Sequence, residues 1–217
     1  MKDWTFKTSE IADTFDDHVR EQLPWYDMAT DATSYIIKNY LQADGLVYDF
    51  GASTGNITAK ILPLVRDRNA RVIAVDSSHT MADKLVRRFK DEDRVTVEAQ
   101  DITTIDIQPA NVYVLFLTLM FIGTEHRKVL LRRLRLNLKD GGVIIIVDKV
   151  ADEYGYFSTV LKRMTMNWKL QQGAKPEDVL IKEMSLAGVQ VPISESMIPD
   201  GKLFFRMGEF AGWVIEK

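Results

Sequence analysis

Apolar residues recur along this chain at two spacings, one helical and one extended, and the two alternate in a regular order. Positions 8–22 keep the helical spacing until Pro24 ends the run. A second helix is predicted over 28–41, with Tyr35, Ile36, Ile37 and Tyr40 as apolar positions, and Asp44-Gly45 breaks it. From Leu46 onward short apolar runs predict strands at 46–50, 71–75, 95–99, 111–117 and 143–148. Helical spacing fills the gaps at 56–65, 81–90 and 125–138, and returns at 154–172. The run at 111–117 is strongly apolar, which suits a central strand covered on both faces. Lys139-Asp140-Gly141-Gly142 reads as the C-cap that stops the helix before it. Lys202–Arg206 and Gly212–Glu216, joined by Met-Gly-Glu-Phe-Ala, predict a hairpin. The expected fold is therefore α/β: a mostly parallel Rossmann-like sheet with a C-terminal antiparallel hairpin and an N-terminal helical cap.

Length and composition narrow the picture. A chain of 217 residues with no repeat or linker fits one domain, divided into a cap (1–44), a ligand-binding core (45–150) and a late helical insertion with the hairpin (151–217). The absence of cysteine excludes disulfides, thiolate metal sites and a cysteine nucleophile. His18, His79 and His126 are too scattered to bind a metal, so none is expected. The net charge of -3 offers no global field for nucleic acid. The basic run Arg127, Lys128, Arg132, Arg133, Arg135 and Lys139 reads first as a solvated face and second as a phosphate-contacting one. No apolar run is long enough to span a bilayer, and the amino terminus has no signal-peptide core, so the expectation is a cytoplasmic protein with no membrane partner.

Three acidic positions, each at the C-terminal end of a predicted strand, carry the chemistry. The first lies in Val-Tyr-Asp-Phe-Gly-Ala-Ser-Thr-Gly (47–55), where Asp49, Gly51, Ala52, Ser53 and Gly55 form a tight strand-to-helix turn. A carboxylate there suits a cationic ligand amine and opposes a pyrophosphate, which argues against a nicotinamide dinucleotide. The second is Asp76, followed by Ser77 and Ser78, placed to accept both hydroxyls of a ribose. The third is Asp101-Ile102, in which the carboxylate suits the exocyclic amine of adenine and Ile102 its ring face. Open α/β sheets bind ligands along this strand edge.

With these motifs in place, the sequence resembles the class I S-adenosylmethionine-dependent methyltransferases, and more closely the carboxy-S-adenosylmethionine synthases of tRNA wobble-uridine modification. The likeness rests on Leu-Pro-Trp-Tyr-Asp (23–27), Tyr-Asp-Phe-Gly-Ala-Ser-Thr-Gly (48–55), Val-Ile-Ala-Val-Asp-Ser-Ser (72–78), Gln-Asp-Ile (100–102), Leu-Thr-Leu-Met-Phe-Ile (117–122) and Phe-Phe-Arg-Met-Gly-Glu-Phe-Ala-Gly (204–212). It implies a seven-stranded class I sheet, S-adenosylmethionine as cofactor, a homodimer, and Tyr26 over the sulfonium. It also implies that Gly51, Asp76, Asp101 and Ile102 hold the amino acid, ribose and adenine portions.

Two positions depart from the synthase pattern. Phe116 stands where the synthases carry an asparagine, and Glu183 where an arginine would pair with the carboxylate of the carboxylated cofactor. Lys182 stands next to it. The expectation is therefore a methyltransferase with an undetermined acceptor, a small molecule or a nucleic acid base such as one in tRNA. The alternatives are a synthase that alters the cofactor itself and a non-catalytic adenosylmethionine-binding protein. Direct methyl transfer needs alignment more than a catalytic residue. Asp148, at the end of the fifth strand, is the one base the sequence offers. Met164, Met166 and Trp168 are read as core rather than as an acceptor pocket.

Overall fold

In the computed structural model, residues 9–151 and 155–217 are described, with side chains from residue 15 onward. The expected helix starts at 8 and 154 lie outside the described residues. Two helices come first, α1 (Ser9–Gln22) and α2 (Tyr26–Tyr40). The alternating core follows as β1 (Leu46–Phe50), α3 (Asn56–Asp67), β2 (Arg71–Val75), α4 (His79–Arg88), β3 (Val95–Glu98), β4 (Ala110–Phe116), α5 (Thr124–Asn137) and β5 (Leu138–Lys149). Next come α6 (Tyr156–Gln171) and α7 (Pro176–Ser185), and then the hairpin β6 (Lys202–Met207) and β7 (Phe210–Glu216).

The seven strands form one sheet in the order β3-β2-β1-β4-β5-β7-β6. The first five run parallel and β7 lies antiparallel to β5 and to β6. The chain leaves β1 toward β2 and β3 on one side, and resumes with β4 and β5 on the other. That reversal leaves a crevice beyond the carboxyl ends of β1 and β4, where open sheets of this type bind ligands.

Alternate residues of the central strands feed the two faces, as extended chain requires. Val47, Val72, Val112, Val114 and Ile145 pack under Ile37 and Leu41 of α2 and Ile57 and Ile61 of α3. On the other face, Tyr48, Phe50, Tyr113, Ile144 and Ile146 meet Leu130, Leu131 and Leu134 of α5. The rings of Tyr48 and Phe50 stack at 5.0 Å between centroids. Tyr113 donates its hydroxyl proton to Gln108 O, 2.7 Å away, while Tyr48 Oη accepts from Gln108 N. These bonds pin the loop after β3 against the sheet.

Two sequence expectations need correction. Lys139-Asp140-Gly141-Gly142 does not cap α5; these residues lie inside β5, which begins directly at Leu138. The ladder between β4 and β5 shifts register between Ala110 and Val112, so the glycines accommodate an irregular strand rather than a helix stop. Residues 173–201 carried no predicted element, yet they contain α7. Pro176 at its first position and Glu177 and Asp178 in its first turn are ordinary start signals. Its Leu180, Ile181 and Met184 are exposed, so no clean apolar stripe marks it.

Candidate active site

The crevice is a cavity of about 810 Å³. Its floor is the turn after β1. Gly51 has φ +68, and a Cβ there would fall 2.5 Å from Thr118 Oγ1. Thr118 itself donates to Phe50 O at 2.9 Å, so the ends of β1 and β4 are held together over a position only glycine fills. Ser53 and Leu117 also adopt positive φ and both line the cavity. Backbone of this kind clusters at sites whose surroundings over-determine it.

The three acids of the sequence reading converge here. Asp49 is fully buried and lines the cavity, and its Oδ2 accepts from Thr58 Oγ1 (2.7 Å) and Thr58 N (3.2 Å). Burial pushes its carboxyl up to about 6. Asp76 accepts from Ser53 N through one oxygen (2.8 Å) and from Ser78 N through the other (2.9 Å). It therefore joins the turn after β1 to the turn after β2 while lining the cavity. Burial raises its carboxyl as well. Asp101 is exposed and accepts from Thr103 N and Thr103 Oγ1 at 2.8 Å, with the buried Ile102 beside it. Ser77 and Ala52 also line the cavity.

Tyr26 and Phe116, both buried and both lining the crevice, meet edge to face, 5.6 Å between centroids. Tyr26 Oη accepts from Asn56 Nδ2 at 3.1 Å, and burial pushes its hydroxyl up to about 12. The cap is tied to the floor through Asp16 of α1, which accepts from Thr54 Oγ1 (2.5 Å) and Asn56 Nδ2 (2.8 Å).

Of the site residues named from sequence, Gly55 alone stands apart from the cavity. It begins α3 at φ +84, and a Cβ would meet Phe89 at 2.5 Å and Leu85 at 2.8 Å. Its role is close helix packing. Asp148 is likewise outside the cavity lining. Its buried carboxylate accepts from Thr118 N (3.1 Å), Met120 N (3.3 Å) and Lys149 N (2.8 Å), and burial pushes it up to about 7. It organises the turn after β4 rather than serving as a base. The basic helix α5 is also largely spoken for. Arg127 is buried and donates to Ile122 O (2.8 Å), Met120 O (3.3 Å), Val191 O (2.8 Å) and Pro192 O (3.3 Å). Arg133 reaches Thr103 O and Ile105 O, and Arg135 pairs with Asp200. Only Lys128, Arg132 and Lys139 of that run are exposed.

The sequence reading named Lys182 and Glu183 only as the position of the synthases' arginine, and it missed His18, Lys149 and Lys169 as site residues. His18 of α1, Lys149 at the end of β5, Lys169 of α6 and Lys182 and Glu183 of α7 all line the cavity. Lys169 is buried and its Nζ donates to Glu183 Oε1 at 2.9 Å. Lys182 Nζ lies 2.7 Å from His18 Nε2. One signal was available for Lys169. It continues the i, i+4 stripe of the buried Leu161 and Thr165, where a lysine needs an explanation. Met164, Met166 and Trp168 stay out of the cavity lining. Trp168 packs against the α2 and α3 side of the core.

Residues 47–142 match the family model described as a methyltransferase domain. The order of the seven strands and the terminal hairpin give the chain a Rossmann-like methyltransferase fold. It is 29% identical over 223 residues to the carboxy-S-adenosyl-L-methionine synthase of Staphylococcus epidermidis, covering 99% of this chain and 97% of that one. Among solved structures, a putative S-adenosylmethionine-dependent methyltransferase from Methanococcus maripaludis aligns at TM-score 0.61 and 18% identity, over 100% of this chain and 96% of its own. Human N-acetylserotonin methyltransferase in complex with SAM aligns at TM-score 0.63 and 13% identity, over 98% of this chain and 57% of its own. The chain thus has the mostly parallel sheet and terminal hairpin that its sequence predicts. No helix among the described residues is long and apolar enough to cross a membrane, and no cluster among them groups residues for a metal ion.

Proposed function

We propose that the protein transfers the methyl group of S-adenosylmethionine to an acceptor bound between the strand edge and the cap. The observation that carries this reading is the division of one cavity into two chemistries. Asp49, Asp76 and Asp101 line it from the ends of β1, β2 and β3, and Lys149, Lys169 and Lys182 line it from β5, α6 and α7. The acidic edge suits a ligand with an ammonium group, two ribose hydroxyls and an adenine amine, each a donor to a carboxylate. In this reading Asp49 with Gly51, Ala52 and Ser53 receives the amino acid end. Asp76 with Ser77 takes the ribose, and Asp101 with Ile102 the adenine. Tyr26 and Phe116 shield the sulfonium from water. The chain works as one domain, with 1–44 as cap, 45–150 as cofactor core and 151–217 completing the acceptor side. We read it as a cytoplasmic enzyme. The readings of tRNA as acceptor and of a homodimer rest on the resemblance to the synthases.

One observation favours the synthase as second reading. Glu183, whose charge would repel a carboxylated cofactor, is paired with Lys169, and Lys182 faces the same cavity. The wall therefore repels a carboxylate less than the sequence at 182–184 suggests.

A single incubation separates the readings. The protein receives methyl-deuterated S-adenosylmethionine and a cell extract, and the cofactor is then analysed by mass spectrometry. Methyl transfer leaves S-adenosylhomocysteine and a labelled acceptor. A carboxylated cofactor would establish the second reading instead, and intact cofactor with no labelled product would remove both.

A further inference from the structure

The wall opposite the three acids has chemistry that methyl transfer does not by itself require. His18 Nε2 and Lys182 Nζ sit 2.7 Å apart on two helices, α1 and α7, and both line the cavity. Two basic nitrogens at that distance share a proton, since two full charges would repel. Glu183, the neighbour of Lys182 along α7, accepts from Lys169 at 2.9 Å. We propose that Lys182, with His18 at its amine, takes the proton released by a protic acceptor, an amine or a hydroxyl, in the cap-side half of the cavity. This inference rests on the methyl-transfer reading and names the class of acceptor it serves.

The electrostatics agree with the geometry. Burial first, and then the Lys169 charge, lowers Lys182 to about 7, against the opposite pull of Glu183. Burial, then Lys182 and Lys169, holds His18 down to about 4. Against its own burial, Lys169 first and then Lys149 and Lys162 hold Glu183 below the usual carboxylate range. Near neutrality His18 is therefore uncharged, and Lys182 exchanges its proton readily. The step balances. The acceptor lone pair forms a bond to the methyl carbon and the C–S bond breaks with its electrons passing to sulfur. The acceptor proton moves to Lys182 Nζ, and S-adenosylhomocysteine remains. An acceptor without a proton to lose, such as a carboxylate, gains nothing from this pair.

The test uses the full chain, saturating S-adenosylmethionine and three simple probes: phenol, phenethylamine and benzoate. Formation of S-adenosylhomocysteine is followed from pH 5 to 9, and cofactor affinity is measured separately by calorimetry. Phenol and phenethylamine should be methylated and benzoate should not, with a rate that rises through about pH 7. Lys182→Met and Lys182→Arg should lose about a hundredfold in rate while binding the cofactor as the parent does. His18→Gln should displace the pH limb. Equal rates in Lys182→Met, transfer to benzoate alone, an unmoved limb in His18→Gln, or no methylation of any probe by a protein that binds the cofactor would each overturn the proposal. Absence of cofactor binding would instead remove the function reading, and this inference with it.

Discussion

Asp76 spends both carboxylate oxygens on backbone amides, Ser53 N and Ser78 N, before any ligand arrives. Each oxygen keeps lone-pair capacity for a ribose hydroxyl. Asp76→Ala should therefore do two things. Cofactor affinity should fall about a hundredfold, equivalent to roughly 2–3 kcal/mol. The turns after β1 and β2 should also loosen, at a cost of about 1 kcal/mol in stability. Calorimetry and denaturant unfolding read the two effects separately, and unchanged affinity would remove Asp76 from the site. A second residue-scale test concerns Asp148, raised by burial to about 7. Between the ordinary carboxylate range, about 4, and that value, the folded state holds a proton the unfolded chain has released. Its contribution therefore makes stability fall as pH rises through that window. His18 and Lys182, both lowered, act in the opposite sense, so the variant must be compared with the parent at each pH. Asp148→Asn should cost about 1–3 kcal/mol at pH 5, because its amide meets a backbone N–H. The cost should shrink by pH 8, where only the parent bears the buried charge. A cost independent of pH would contradict the assignment. Both acids were visible in the sequence as strand-end residues. Their different roles were not, because the direction of a strand-end side chain depends on the turn that follows it.

At the scale of elements, Arg127 joins three pieces of chain. From α5 it donates to the turn after β4 at Met120 and Ile122, and to the returning segment at Val191 and Pro192. That segment adds Val191 N to Met120 O and Ile193 N to Lys149 O, both at 2.8 Å. Arg127→Met should cost about 3 kcal/mol, since charge-assisted bonds vanish and buried carbonyls are stranded. Arg132→Ala, on the exposed face of the same helix, should leave stability within about 0.5 kcal/mol. Equal effects in denaturant unfolding would show that α5 is merely a solvated helix, as its composition suggests. The alternating core was legible because each strand is a short apolar run bounded by turn residues, and β1 and β2 fall on their predicted bounds. The irregular start of β5 was not, because glycines that relieve a strand and glycines that cap a helix look alike in sequence. The helix α7 escaped because its outward face carries Leu180, Ile181 and Met184, which blur the helical pattern.

Across the whole molecule, the sheet edge and the helices α1, α6 and α7 enclose one cavity with opposed charge. The acidic half was legible because local motifs create it, strand by strand. The basic half was legible only at Lys182, through the resemblance, because His18, Lys149 and Lys169 come from three distant elements that only the fold brings together. On this reading the cavity suits a ligand with a cationic amino acid end and no pyrophosphate. Calorimetric titration of the full chain with S-adenosylmethionine and, separately, with NAD tests it most directly. Saturable binding of S-adenosylmethionine is expected, with no measurable heat of binding for NAD. NAD binding as tightly as S-adenosylmethionine, or no binding of S-adenosylmethionine at all, would contradict it.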